Sequence, residues 1–288
     1  MTASYQVLTL GAVAYAPKVV TIWEGFKSYF SERGLYFDFV LYSNYETLTE
    51  ALIRGDVQLA WNSPLAFVRA DRMARAAGQR VESIAMRDTD LDVQSLLVLP
   101  ADSKLQSLQD LRGQTVGFGA IDSPQATLIP LDHLRQAGLV GGRDYQVQRF
   151  DVLGGKHGDH IGGERLAAKA MVAGEIAASW MVAKNYQAFA AEGTLPAGGT
   201  RVLATSGAFD HCNMTTGPSI TQADSERFRE ILMGMSWDDP AVRPLLELEG
   251  LKAWHPGRAS GYALLERAVT DEQFYSADGR ITVQGYQY

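Results

Sequence analysis

The 288-residue chain is poor in the residues that build disulfides and metal cages, with one cysteine, Cys212, and five histidines. A single cysteine excludes an intramolecular disulfide and any cysteine-only metal site. No apolar run approaches the ~20 residues of a membrane-spanning helix, which predicts no membrane insertion. Basic residues do not dominate: 26 Lys and Arg stand against 33 Asp and Glu, a formal charge of −7. Such a surface offers no general attraction for nucleic acid or anionic lipid, so neither is expected as a partner. The chain also lacks a Walker-type phosphate loop and a Gly-x-Ser-x-Gly nucleophile elbow, and Gly117-Phe-Gly119 stands without a dinucleotide-binding context. Its start lacks the basic segment, apolar stretch and small-residue cleavage site of a secretory leader, because Met1-Thr-Ala-Ser runs straight into the strand-like Tyr5–Leu10. This places the protein in the periplasm if a leader has been removed, and in the cytoplasm otherwise.

What is present is an ordered globular composition, 46% hydrophobic and 20% charged, with strand-like and helix-like pieces alternating as in parallel βαβ units. Pro17 opens a helix in which Val19, Ile22, Trp23, Phe26 and Phe30 recur at helical spacing until Gly34. A strand over Tyr36–Leu41, a helix over Tyr45–Arg54 ending at Gly55, a strand over Val57–Trp61 and a helix capped by Ser63 follow. A second cycle has strands at Ser83–Met86, Leu96–Leu99, Thr115–Gly119, Tyr145–Phe150 and Ile176–Trp180. Its helices are Gln125–Gln136, Glu164–Ala173 and Ala183–Ala191. Val202–Thr205 is the candidate strand returning to the first lobe, and the remainder reads as helical. The pattern predicts two α/β lobes, 1–86 with 204–288 and 87–203, hinged by two crossing segments, with the ligand between them.

Three stretches carry a family likeness. Tyr45–Ala66 joins a short helix, a Gly-Asp turn and an apolar strand to a small polar helix entry. Leu111–Thr127 repeats that logic with a Gly turn, a strand and a Ser/Thr-bearing entry. Glu164–Ser179 carries a helix, Ala-Gly-Glu and a strand. Together these resemble the phosphonate and sulfonate substrate-binding proteins, over roughly residues 5 to 216. The resemblance implies a type 2 periplasmic-binding fold, a small anionic ligand such as a phosphonate, phosphate or sulfonate, and delivery to an ABC permease or a sensor. Where the family pattern has a shorter loop with one histidine, this chain has Asp151–Gly163, rich in glycine, and Glu164 stands near the histidine's place.

The residues themselves point the same way. A helix start exposes unpaired N–H groups and a positive dipole end, so Ser123, Gln125 and Thr127 are candidates to hold an oxyanion without any lysine or arginine. Ser63 sits at a similar junction, and Tyr15, Trp61 and Asn62 are candidates for the opposite wall, with Tyr42, Asn44 and Tyr45 behind them. Trp61 and Ser123 also have ordinary structural roles, as core and cap. The segment from Gly154 to Glu164 brings five glycines together with His157, Asp159, His160 and Glu164, which reads as a ligand-binding loop in which Lys156 assists an anion. His211 in the segment after the return strand is a further ligand candidate.

Two alternatives attach to that loop. His157, Asp159, His160 and Glu164 are suitable ligands for a divalent metal, with His211 and Cys212 as contributors, but their spacing matches no short zinc pattern, so no cofactor is the expectation. The same groups suit acid–base or metal-assisted chemistry on a small acid, as in cytosolic enzymes that reuse this fold. Buried inert thiol is the commoner state for a lone cysteine such as Cys212. His133, on a helix, and His255, before Pro256 in a loop, read as ordinary.

Overall fold

A computed structural model describes residues 7–288. The chain divides into two compact units, the first comprising residues up to Leu91 with Asp210–Gly261 and Ala277–Arg280. The second comprises Asp92–Phe209, Tyr262–Ser276 and Ile281–Tyr288. Where the sequence assigns all of 204–288 to the first lobe, the C-terminal pieces 262–276 and 281–288 group with the second unit.

The first unit is built on strands β1 (Leu8–Val13), β2 (Phe37–Tyr42), β3 (Leu59–Asn62), β4 (Glu82–Arg87), β10 (Asn213–Thr216) and β11 (Trp254–Pro256). Their order in the sheet is β11-β4-β10-β3-β1-β2. The βαβ alternation produces the parallel pairs of β1 with β2 and β3, whereas β10 runs antiparallel between β3 and β4. Tyr5 and Gln6 of the predicted first strand lie outside the described residues. Helix α1 (Lys18–Glu32) buries Val19, Ile22, Trp23, Phe26 and Phe30, as its spacing requires. Phe30 lies with its ring centroid 4.8 Å from those of both Phe37 and Phe228, which joins the helix to the sheet and to α7 (Gln222–Met233).

Helix α2 (Tyr45–Arg54) begins where the Asn44 side chain accepts a hydrogen bond from the Thr47 N–H at 2.8 Å. That bond satisfies one of the helix's orphan donors. Asn44→Ala should therefore lower the unfolding free energy by about 1 kcal/mol, read by urea denaturation, with no change in the denaturant slope. Helix α3 (Pro64–Ala76) starts in the same way, Ser63 Oγ accepting from Ala66 N–H at 3.1 Å.

The second unit carries β5 (Ser95–Pro100), β6 (Thr115–Phe118), β7 (Gln146–Arg149), β8 (Ala178–Val182) and β9 (Thr200–Thr205) in the order β7-β6-β8-β5-β9. Its core is formed by Leu97, Leu99, Val116, Phe118, Leu134, Tyr145 and Trp180. The strand over 200–205 thus does not return to the first unit. It pairs antiparallel with β5, and the strand that does return is β10. Alternation in so short a run cannot distinguish the two sheets, because either would bury one of its faces. The C-terminal part is not purely helical, since α8 (Arg243–Glu249) and α9 (Ala263–Asp271) flank β11. His255 accordingly lies in a strand, not in a loop.

Candidate functional site

The predicted helix over 125–136 is broken at its start. Pro124–Leu128 forms a π-helical turn and α4 proper spans Ile129–Gln136. Pro130 has no N–H to give to the carbonyl four residues back, Ala126, and that carbonyl instead accepts from the Gly119 N–H at 3.1 Å. The proline thus ties the helix entry to the end of β6.

At this entry Ser123 Oγ accepts from Ala126 N–H at 3.2 Å. The N–H groups of Thr127 and Leu128 both go to the Ser123 carbonyl. The Thr127 hydroxyl donates to the Ala120 carbonyl at 2.7 Å. Most donors expected to face an oxyanion are therefore satisfied within the chain. Ser123 is 1% exposed and Gln125 3%. The entry at Ser123, Gln125 and Thr127 is covered, and the cover is the glycine-rich loop itself.

Gln125 Nε2 donates to the Gly158 carbonyl at 3.0 Å and to Glu164 Oε1 at 3.3 Å. A Cβ on Gly158 would collide with Ser123 Oγ and lie 2.7 Å from Gln125 Nε2, and Gly158 has φ +78°. Only glycine fits there, on grounds of both space and conformation. The loop is held down by a residue the sequence did not single out. Asp122 Oδ2 accepts from Gly155 N–H at 2.6 Å, His157 N–H at 3.2 Å and the Tyr286 hydroxyl at 3.2 Å. An Asp before a Ser-capped helix carries no sequence sign of that role, and Tyr286 is 164 residues away. The loop's amide groups thus grip the chain's own carboxylate.

Glu164, at the start of α5 (Gly162–Val172), is buried, and its carboxylate accepts from Val182 N–H at 3.1 Å and Asn185 Nδ2 at 2.8 Å. Burial raises its pKa, while the bonds from Asn185, Val182 and Gln125 oppose the rise. His157 is fully buried. His160 Nδ1 accepts from Gly162 N–H at 3.2 Å. Burial lowers the Lys156 pKa, against the pull of Asp159. Among the described residues His157, Asp159, His160 and Glu164 do not gather their donor atoms into a metal-sized group, which corrects the metal alternative for this loop. The carboxylate of Glu164 is spent on three donors of its own unit.

In the first unit the predicted wall residues are interior. Trp61 belongs to the main core, with its ring 5.8 Å from that of Trp254 in edge-on contact and the Arg87 guanidinium 5.0 Å from its centroid. It is corrected from cleft wall to core. Tyr45 is also buried, and Tyr15 is half-buried against the same core as Trp61. Asn62 Nδ2 donates to Thr215 Oγ1 at 2.9 Å, and that hydroxyl donates to Asn213 Oδ1 at 2.6 Å.

His211 sits in a buried charge network. Its Nδ1 lies 3.4 Å from Asp90 Oδ1 and 3.2 Å from Cys212 Sγ. Asp90, His211 and Cys212 are the one group among the described residues whose donor atoms come within metal-binding range. Both Asp90 oxygens, however, accept from Arg87, at 2.5 and 3.0 Å. Arg87 also donates to Glu249 Oε1 at 3.1 Å. A guanidinium already fills the cationic role, and Arg87 and His211 hold the Asp90 carboxyl well below its ordinary value despite burial. The cluster is an ion-pair network, and Cys212 is a buried thiol within it.

Comparison with known proteins now adds to this geometry. The family model described as ABC transporter, phosphonate, periplasmic substrate-binding protein matches residues 12–262. No curated protein matches the chain at significance. Among solved structures, PhnD1 from Prochlorococcus marinus in complex with methylphosphonate superposes with TM-score 0.68 at 15% identity, covering 92% of this chain and 97% of that one. A Xanthomonas citri protein bound to ATP gives TM-score 0.71 at 16% identity, with 92% and 97% coverage. The binding protein component of an ABC phosphonate transporter from Pseudomonas aeruginosa gives 0.62 at 14% identity, with 98% and 91% coverage. The fold is thus that of the two-lobed periplasmic binding proteins, and the binding-protein reading is supported over the enzyme alternative.

Proposed function

The chain belongs to the phosphonate ABC transporter periplasmic substrate-binding protein family, and from that premise we propose that it captures a small oxyanion, a phosphonate or a close relative, for delivery to a membrane permease. The observation that carries this reading is the family match over 12–262. The polar entry at Ser123 and Gln125 supports it, because Gln125 Nε2 is a buried amide donor that an oxyanion can take over from a loop carbonyl. In this reading the ligand binds at the 123–125 entry once the Gly158 segment gives way. Asn62, Ser63, His157, His160, Glu164 and His211 then act by shaping and positioning, not as anion donors. The protein works in the periplasm, without a cofactor, and no helix among the described residues is long and apolar enough to cross a membrane.

The test is a thermal-shift and calorimetry screen of the full chain against methylphosphonate, phosphate and ethanesulfonate. One of these should raise the melting temperature saturably, since a ligand that binds only the folded state stabilises it by mass action. Ser123→Ala with Gln125→Ala should abolish the response. No response to any of the three, or chemical turnover of one, would overturn the proposal.

A further inference from the structure

The second unit has a cavity of about 300 Å³, lined by Leu131, Arg135, Leu139, Tyr145, Val147 and Glu272 among others. It lies where the end of α4 meets β7 and the end of α9, and it shares no lining residue with the 123–125 entry or its loop. Two observations mark it as built for a ligand. The Tyr145 side chain is 2% exposed, and its hydroxyl has no hydrogen-bond partner. The Arg135 Nε is also buried without a partner, although the other end of the same guanidinium is paired with Glu272.

An unpaired buried hydroxyl or guanidinium N–H is costly, and two in the wall of one cavity call for the same complement, an acceptor. Tyr145 does not relieve the cost by ionising, because burial pushes its phenol well above the ordinary range. The backbone also leaves room beside the hydroxyl only because residue 141 has no side chain. A Cβ at Gly141 would lie 2.6 Å from Val147 Cγ2 and 3.3 Å from the Tyr145 hydroxyl, so any side chain there would crowd the space beside that oxygen.

We propose that this cavity is a second binding site, for a small aliphatic carboxylate whose oxygens accept from the Tyr145 hydroxyl and the Arg135 Nε–H while its hydrocarbon part lies against Leu131, Leu139 and Val147. A carboxylate fits better than a phosphate or phosphonate dianion. Both guanidiniums of the lining, Arg135 and Arg149, are already paired with an acid, Glu272 and Asp151, so no spare cation balances a dianion, and the apolar half of the lining has nothing to offer further oxygens. A monoanion with two oxygens matches two donors and tolerates one neighbouring carboxylate.

The experiment titrates the full chain with isobutyrate and follows the Gly141 and Gly142 amide signals by two-dimensional NMR, with isobutyramide in parallel. Isobutyrate should shift both signals saturably, and the amide should bind at least several-fold more weakly. Tyr145→Phe deletes only the hydroxyl, and Arg135→Lys keeps the charge facing Glu272 while deleting the Nε–H. Each should weaken isobutyrate at least about tenfold, the usual effect of losing a hydrogen bond to a charged acceptor. Tyr145→Phe should also melt no lower than the parent without ligand, since the deleted hydroxyl has no partner to lose. Ser123→Ala with Gln125→Ala should leave these shifts intact, which separates this site from the oxyanion entry. A linear, non-saturating response, equal binding of the amide, or unchanged affinity in both cavity variants would overturn the assignment.

Discussion

Replacing Arg87 by methionine is expected to remove about 3–5 kcal/mol of unfolding free energy at neutral pH, the cost of breaking a buried ion pair from one side. Arg87 gives two hydrogen bonds to Asp90 and further bonds to the Glu249 carboxylate and carbonyl. Both acids are buried, so the variant leaves two carboxylates in a poorly solvating interior. Methionine matches the length of the arginine stem against Trp61 but supplies no charge. The pH dependence has a fixed sign. In the parent, Asp90 has its pKa depressed below the ordinary 3.8, so its contribution to stability is fully present above that value and is lost as the pH falls through the depressed one. In the variant, burial without the guanidinium raises the Asp90 pKa, and acid relieves the unpaired charge. The gap between parent and variant should therefore narrow on acidification. Urea titrations at pH 7 and pH 4 measure both quantities. A loss under 1 kcal/mol at pH 7, or a gap that widens in acid, would show that the network is not what holds these elements together.

That network also shows which parts of the structure could be read in advance. Local signals served well where the determining residues are neighbours. Asn44 and Gly55 bracket α2, Ser63-Pro64 opens α3, and the apolar spacing of α1 names the residues it buries, because caps, turns and helical periodicity act within a few positions. Arg87 and Asp90 are three apart and could have been noticed as a pair, but Glu249 is 162 residues from Arg87. Trp61 ends an apolar strand and looks equally suited to a cleft or a core. The answer lies with Trp254, brought alongside by a short strand with no periodic run of its own. The same limit applies at the candidate site. The glycine-rich loop was visible from composition and Ser123 from its junction, yet the fact that the loop lies upon Ser123 depends on Asp122 and on Tyr286 near the C-terminus. The π-helical turn does have a local cause, Pro130, whose effect is to free one carbonyl and draw the entry onto β6.

The loop's position leads to a second large effect, a gain in binding. Gly158→Ala should tighten methylphosphonate binding by about tenfold. Alanine at φ +78° is strained, and its Cβ collides with Ser123 Oγ, so the segment must lift from the helix entry. Gln125 Nε2 then loses the Gly158 carbonyl and keeps only the longer bond to Glu164, which leaves a donor ready for an incoming oxygen. A ligand that must otherwise displace the loop sees its affinity reduced by the fraction of molecules already open. Removing one net hydrogen bond's worth of competition, ~1–1.5 kcal/mol, corresponds to the tenfold gain. Asp122→Asn should act in the same direction, because a neutral amide holds the Gly155 and His157 N–H groups less strongly than a carboxylate does. In both variants the amides of 155–158 should exchange faster with solvent while the strands of the second unit keep their protection. Calorimetry with methylphosphonate measures the affinity and hydrogen exchange reports the loop. Faster exchange accompanied by weaker binding would mean that Gly158 and its neighbours form part of the ligand's own shell, and the competition argument would then fail.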